Sequence, residues 1–175
     1  MVVVAIIGIF VGVVVLSTDL VRFERRLEQE AQRLNTIISF AADEALLQTQ
    51  DFGVLICEDS YHFFVYSYDE EDWIPYGVRP FEPRRLDADM FLVLRLEDRE
   101  VVLETEAEAF AAQGDSDPLT QADLADLPAP QIVILASGEV TPFQLEFLRR
   151  SAELDPGVVL NMAFNGDSEL TYDAL

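Results

Sequence analysis

Apolar residues follow two regimes along this chain. Met1 to Leu16 carries no charge and no side-chain hydrogen-bonding group, and polar positions enter only from Ser17-Thr18-Asp19 onward. As an α-helix the opening run spans about 24 Å, a little short of the roughly 30 Å hydrocarbon core of a bilayer. Within it Gly8 and Gly12 form a small-xxx-small pair that lets a second helix approach closely. Further on, Phe23, Leu27, Ala31, Leu34, Ile38, Ala41 and Ala45 recur at steps of three and four. They draw one apolar stripe along a helix whose other faces carry Arg22, Glu24, Arg25, Arg26, Glu28, Glu30 and Arg33. Gly53 is expected to follow the end of this helix. A single helix from Met1 to about Gln48 would be some 70 Å long.

Beyond Gly53 the pattern changes to short apolar runs separated by turns. Val54 to Cys57 and Tyr61 to Tyr66, with Glu58-Asp59-Ser60 between them, predict a hairpin. Further strands are predicted at Phe91–Leu96, Val101–Leu103, Ile132–Leu135, Val140–Phe143, Val158–Phe164 and Leu170–Tyr172. Ser137-Gly138 and Asn165-Gly166 mark turns, the latter a pair suited to positive φ in a tight hairpin. From Glu104 to Pro130 the chain holds acidic residues and no basic one, closing on Pro128-Ala129-Pro130, and is predicted to be a mobile excursion. The layout is α+β, with three parts: an apolar segment over 1–21, an amphipathic stalk over 22–50, and an antiparallel β domain over 51–175 with an acidic loop at about 104–130.

Charge narrows the functions available. Asp and Glu number 33 against 11 basic residues, a net −22, and every basic residue is arginine. Such a surface repels phosphate backbones, which excludes ordinary nucleic-acid binding. Cys57 is the only cysteine, so no internal disulfide forms. His62 is the only histidine and flanks the same predicted turn as Cys57, but no third group is evident to orient its ring for nucleophilic catalysis. Asp69-Glu70-Glu71-Asp72 and Asp115-Ser116-Asp117 are rich in oxygen ligands. Both lack the spacing of a calcium loop and read as solvated acidic turns. Neither zinc spacing nor a phosphate-cradling glycine loop is present, so no catalytic, metal or cofactor site is expected.

Two stretches carry a resemblance. Met1-Val2-Val3-Val4-Ala5-Ile6-Ile7-Gly8-Ile9 looks like the inner half of the type IV pilin signature, whose apolar helix normally follows a phenylalanine and a glutamate. Pro130 to Phe143 resembles the hallmark of the type II secretion minor pseudopilin H (GspH) family, through Pro130, Gln131, Ser137, Gly138, Glu139, Thr141, Pro142 and Phe143. Leu34 to Ile56, with Ala41-Ala42-Asp43-Glu44-Ala45 and Phe52-Gly53-Val54, resembles it too. The resemblance implies a pilin-like fold, a long helix on two antiparallel sheets, anchored by one pass in the inner membrane with its domain in the periplasm. It implies a structural role near the pseudopilus tip, linking the tip complex to the shaft that exports folded proteins. The implied partners are the major and minor pseudopilins, with no small-molecule substrate and no catalysis. In that family a basic leader is removed and the new N-terminus methylated, so Met1 is expected to be an internal methionine with the leader encoded upstream.

Other readings are a minor type IV pilin serving pilus assembly or DNA uptake, which the net charge disfavours, and a membrane-tethered enzyme, for which no site is visible. One feature opposes the implied topology. Arg22, Arg25 and Arg26 follow the apolar helix, where the positive-inside rule favours the cytoplasm. The opposing flank, where the basic leader would weigh, lies outside the sequence.

Overall fold

A computed structural model describes residues 2–111, 128–150 and 157–172, with side chains from Arg22 onward. Helix α1 runs Val2–Gln48, followed by β1 (Phe52–Ile56), β2 (Ser60–Ser67), β3 (Asp72–Pro75), β4 (Arg84–Arg85), β5 (Met90–Leu96) and β6 (Arg99–Val101). After these come α2 (Glu106–Ala109), β7 (Ile132–Ile134), β8 (Phe143–Arg149), β9 (Val158–Met162) and β10 (Ser168–Tyr172). The strands form two antiparallel sheets. The first has the order β3-β2-β1-β7, with β4 pairing with β2 on the same edge as β3, and the second has the order β10-β9-β8-β5-β6.

All seven residues of the predicted stripe, from Phe23 to Ala45, are buried in one core with residues of both sheets. Three- and four-residue steps keep them on one side of the helix, so a single stripe can cover two sheets. An ion pair fixes the helix laterally: Arg84 Nε of β4 donates to Glu30 Oε1 at 2.7 Å. The helix does not end at a glycine. Thr49 takes the left-handed conformation (φ 54°), and Gln50 N–H reaches back to the Ala45 carbonyl at 3.2 Å, the 6→1 bond of a Schellman motif. Gly53 instead lies inside β1, paired with Phe64 and Val133.

β1 is buried at every position because both faces of its sheet are covered. Phe52, Val54 and Ile56 enter the main core, whereas Leu55 joins Cys57, Phe64 and Phe110 in a second, smaller cluster on the opposite face. Phe110 closes that cluster directly after α2, which corrects the prediction of a mobile stretch starting at Glu104. The short helix is held by a capping box, in which Thr105 N–H donates to Glu108 Oε2 at 3.0 Å and Glu108 N–H donates to Thr105 Oγ1 at 3.4 Å. Residues 112–127, with the predicted Asp115-Ser116-Asp117 cluster, lie outside the described residues.

The predicted strand at 140–143 is also shifted. Val140 makes only an isolated bridge to Ile134, and the strand proper starts at Phe143 and runs to Arg149. Phe143, Leu145 and Phe147 face the core; between them Glu146 is buried as well, paired with Arg95 of β5. The two marked turns are three-residue loops. Gly138 N–H donates to the Leu135 carbonyl and Gly166 N–H to that of Ala163, each glycine at positive φ (86° and 82°). This is a type I turn closed by a left-handed glycine, so Asn165 itself needs no positive φ.

Candidate assembly surface

Residues 130–143 form a seam beside the end of the helix. Pro130 is buried against Gly53, where an added Cβ would lie 2.8 Å from Pro130 Cβ and 2.9 Å from Trp73 Cζ3. β7 has only three residues, yet side chains acting as peptide groups pin it, one just before its start and one at its centre. The Gln131 carboxamide accepts from Ile56 N–H at 2.8 Å and donates to the Ile56 carbonyl at 3.1 Å. Along its free edge Thr141 Oγ1 accepts from the N–H of the central residue Val133 at 3.0 Å and donates to the Val133 carbonyl at 3.2 Å.

The Ser137-Gly138 turn comes down onto the C-terminal end of α1, where a Cβ on Gly138 would lie 3.1 Å from Leu46 Cδ1. Glu139 contributes its carbonyl, which accepts from Leu135 N–H at 2.8 Å. Pro142 is exposed and Phe143 enters the core. Asp51, not singled out in the sequence, ties the region together. Its carboxylate accepts from Ala136 N–H at 2.7 Å and from the Tyr68 hydroxyl at 2.8 Å, joining the helix-to-sheet junction to the turn after β7. The predicted helix-packing pair, Gly8 and Gly12, falls in the part of α1 whose side-chain surroundings lie outside the described residues.

Cys57 and His62 occupy the outer face of the first sheet without forming a nucleophile and base. Burial pushes the Cys57 thiol up to about 11, so it stays protonated near neutral pH. His62 is buried under α2, its ring 4.8 Å from that of Phe110, with Nε2 at 3.2 Å from Glu106 Oε1 and 3.3 Å from Ser60 Oγ. Desolvation lowers its basicity, against the opposing pull of Glu106 and Asp59. Glu106 also takes Arg85, and its N–H donates to Asp59 Oδ1 at 2.8 Å. The cluster fastens α2 to the hairpin. Asp69 to Asp72 form the exposed turn into β3, with Glu71 at φ 55°. Among the described residues no three His, Cys, Asp or Glu side chains converge as metal ligands would.

The profile of the family described as Type II transport protein GspH matches residues 30–166. The chain is also 30% identical over 166 residues to the type II secretion system protein H of Pseudomonas aeruginosa, covering 95% of this chain and 87% of that protein. The chain belongs to the GspH family. Solved structures share the GspH fold. The minor pseudopilin EpsH from the type II secretion system of Vibrio cholerae matches at a TM-score of 0.65 and 24% identity, covering 85% of this chain and 97% of that one. E. coli GspH, known in solution, matches at a TM-score of 0.57 and 19% identity, covering 85% and 89%. The GspH match runs from the middle of the stalk through both hairpin turns, so it includes the whole seam from Pro130 to Phe143.

Proposed function

We propose that this GspH-family chain is a minor pseudopilin of a type II secretion system, a structural subunit near the pseudopilus tip that links the tip complex to the shaft. One observation carries the reading beyond family membership. The buried stripe of α1 reaches up to Phe23, and upstream the same helix continues into the uncharged run ending at Leu16. Residues 1–21 then form the inner-membrane and filament segment, 22–50 the stalk, and 51–175 the periplasmic β domain. No helix among residues with described side chains is long and apolar enough to cross a membrane, so the anchor is assigned from the sequence of the opening segment. The role is non-enzymatic: the one thiol is protonated and enclosed, and the one histidine is committed to α2. Gly8, Gly12 and the exposed Leu47 are the surfaces offered to neighbouring pseudopilins.

The test is expression of the full-length chain with its secretion operon, carrying a photo-crosslinker at Leu47. The expected result is recovery in the membrane fraction with crosslinks to other pseudopilins. Recovery in the soluble fraction without such crosslinks would overturn the reading.

A further inference from the structure

We propose that the cleft lined by Arg22, Phe23, Arg25, Arg26, Gln29 and Arg149 binds the phosphate of an anionic lipid headgroup where α1 leaves the bilayer. The inference rests on the membrane-anchored reading above. The cleft encloses about 490 Å³ beside the neck of the helix. Four of the chain's 11 arginines line it, although the chain as a whole carries −22.

Of the seven arginines elsewhere, five are paired with carboxylates, Arg79 with Glu82, Arg84 with Glu30, Arg85 with Glu106, Arg95 with Glu146 and Arg150 with Glu58, whereas Arg33 and Arg99 stand apart on the helix and on β6 with no carboxylate within 4.0 Å among the described residues. At the neck, Arg26 takes Asp87 at 2.9 Å and Asp89 at 3.7 Å. Arg22 and Arg25, both exposed, have no carboxylate within 4.0 Å among the described residues. Among the described residues, a chain with three acids for every base thus leaves two cations one helical turn apart without a carboxylate partner at the neck of the helix.

The cleft is also shaped. The guanidinium carbons of Arg26 and Arg149 lie 4.9 and 4.8 Å from the centroid of the Phe23 ring, and Phe23 is only 3% exposed. One fixed ring therefore backs two guanidiniums, from the helix and from the end of β8, which are already engaged and shape the wall of the cleft, leaving Arg22 and Arg25 to meet a ligand. A planar guanidinium presents paired N–H donors that match phosphate oxygens.

Position completes the argument. Arg22 is six residues past Leu16, about 9 Å along the helix axis, and the headgroup layer begins where the apolar run ends. Helical side chains lean toward the N-terminus, which here is the membrane side, so Arg22 and Arg25 can extend back into that layer. Acidic groups farther than about 10 Å are screened at 0.1 M salt, so the charge of the distal domain does not cancel the cleft. A headgroup ligand also gives three arginines a use on the face of the membrane where the positive-inside rule disfavours them.

The experiment inserts the full chain into nanodiscs of phosphatidylcholine, alone or mixed with phosphatidylglycerol, and measures retained lipid by native mass spectrometry. The expected result is preferential retention of phosphatidylglycerol, reduced roughly tenfold in the R22Q/R25Q variant and partly restored in R22K/R25K. Arg22 and Arg25 are both exposed, so circular dichroism should be unchanged in either variant. Equal retention by wild type and R22Q/R25Q overturns the proposal. So does displacement of phosphatidylglycerol by equimolar inorganic phosphate, which would make the cleft a free-anion site. Failure to enter nanodiscs of any composition overturns the anchoring reading and the cleft with it, whereas entry without lipid preference overturns the cleft alone.

Discussion

Gln131 does with a side chain what a strand residue does with its backbone, and its removal should be correspondingly costly. Ile56 is buried, so Q131A strands an N–H and a carbonyl that no water can easily reach. The expected loss is about 1–3 kcal/mol, read as a lower urea midpoint at unchanged slope. His62 sets a pH dependence of definite sign. Burial depresses its pKa below the usual 6.5, so the unfolded chain binds the proton more readily than the folded one. Its contribution to stability is complete above about 6.5 and declines as pH falls from there toward the folded value. Comparing the unfolding free energies of wild type and H62Q from pH 7 to pH 5 should show the steeper decline in wild type. Neither role was legible in the sequence. The hallmark flags Gln131 but not its partner, 75 positions away in the chain, and the sequence sets His62 beside Cys57, whereas Glu106 and Phe110, which pack on its ring, come from the acidic excursion.

The helix stripe is legible because its spacing is a steric requirement, and all seven of its residues, from Phe23 to Ala45 at steps of three and four, are buried as the spacing predicts. The helix end was not, because Thr49 occupies a left-handed position where glycine would be expected. A β-branched residue is strained there, so T49G should stabilise the protein by roughly 1 kcal/mol, visible as a higher melting temperature. Short elements escaped for a different reason. β4 is two arginines and α2 is Glu-Ala-Glu-Ala, too brief for any periodicity, and both exist because of what they touch. β8 was legible in principle: Phe143, Leu145 and Phe147 alternate with polar residues, and the prediction stopped one residue into the pattern. For α2 the decisive contact is Phe110 over Leu55, Cys57 and Phe64. F110A should uncover Cys57, so that a thiol reagent that barely labels the wild-type native protein labels the variant readily, with little change in the unfolding of the main core.

At the scale of the molecule, one helix serves as the common floor of two sheets, and the first sheet has a second, smaller core on its far side. The α+β layout follows from the sequence because helix and strand periods differ so clearly, while the assignment of strands to two sheets depends on pairings that only folding reveals, such as β5 with β8 across 50 intervening residues at the Leu94–Leu145 pair of the register. Both ends of the acidic excursion are staked on the same sheet, one by Phe110 against Leu55, Cys57 and Phe64, the other by Pro130 against Gly53. With the stakes fixed, a flexible peptide added between them costs little, since each doubling of a flexible connection adds only about 0.6 kcal/mol of closure entropy. An epitope or fluorophore-binding peptide spliced between Ala111 and Pro128 should leave the melting temperature within a few degrees of wild type. The acidic excursion thus gives the subunit a mounting point, through which it could be followed without touching α1 or the seam from Pro130 to Phe143.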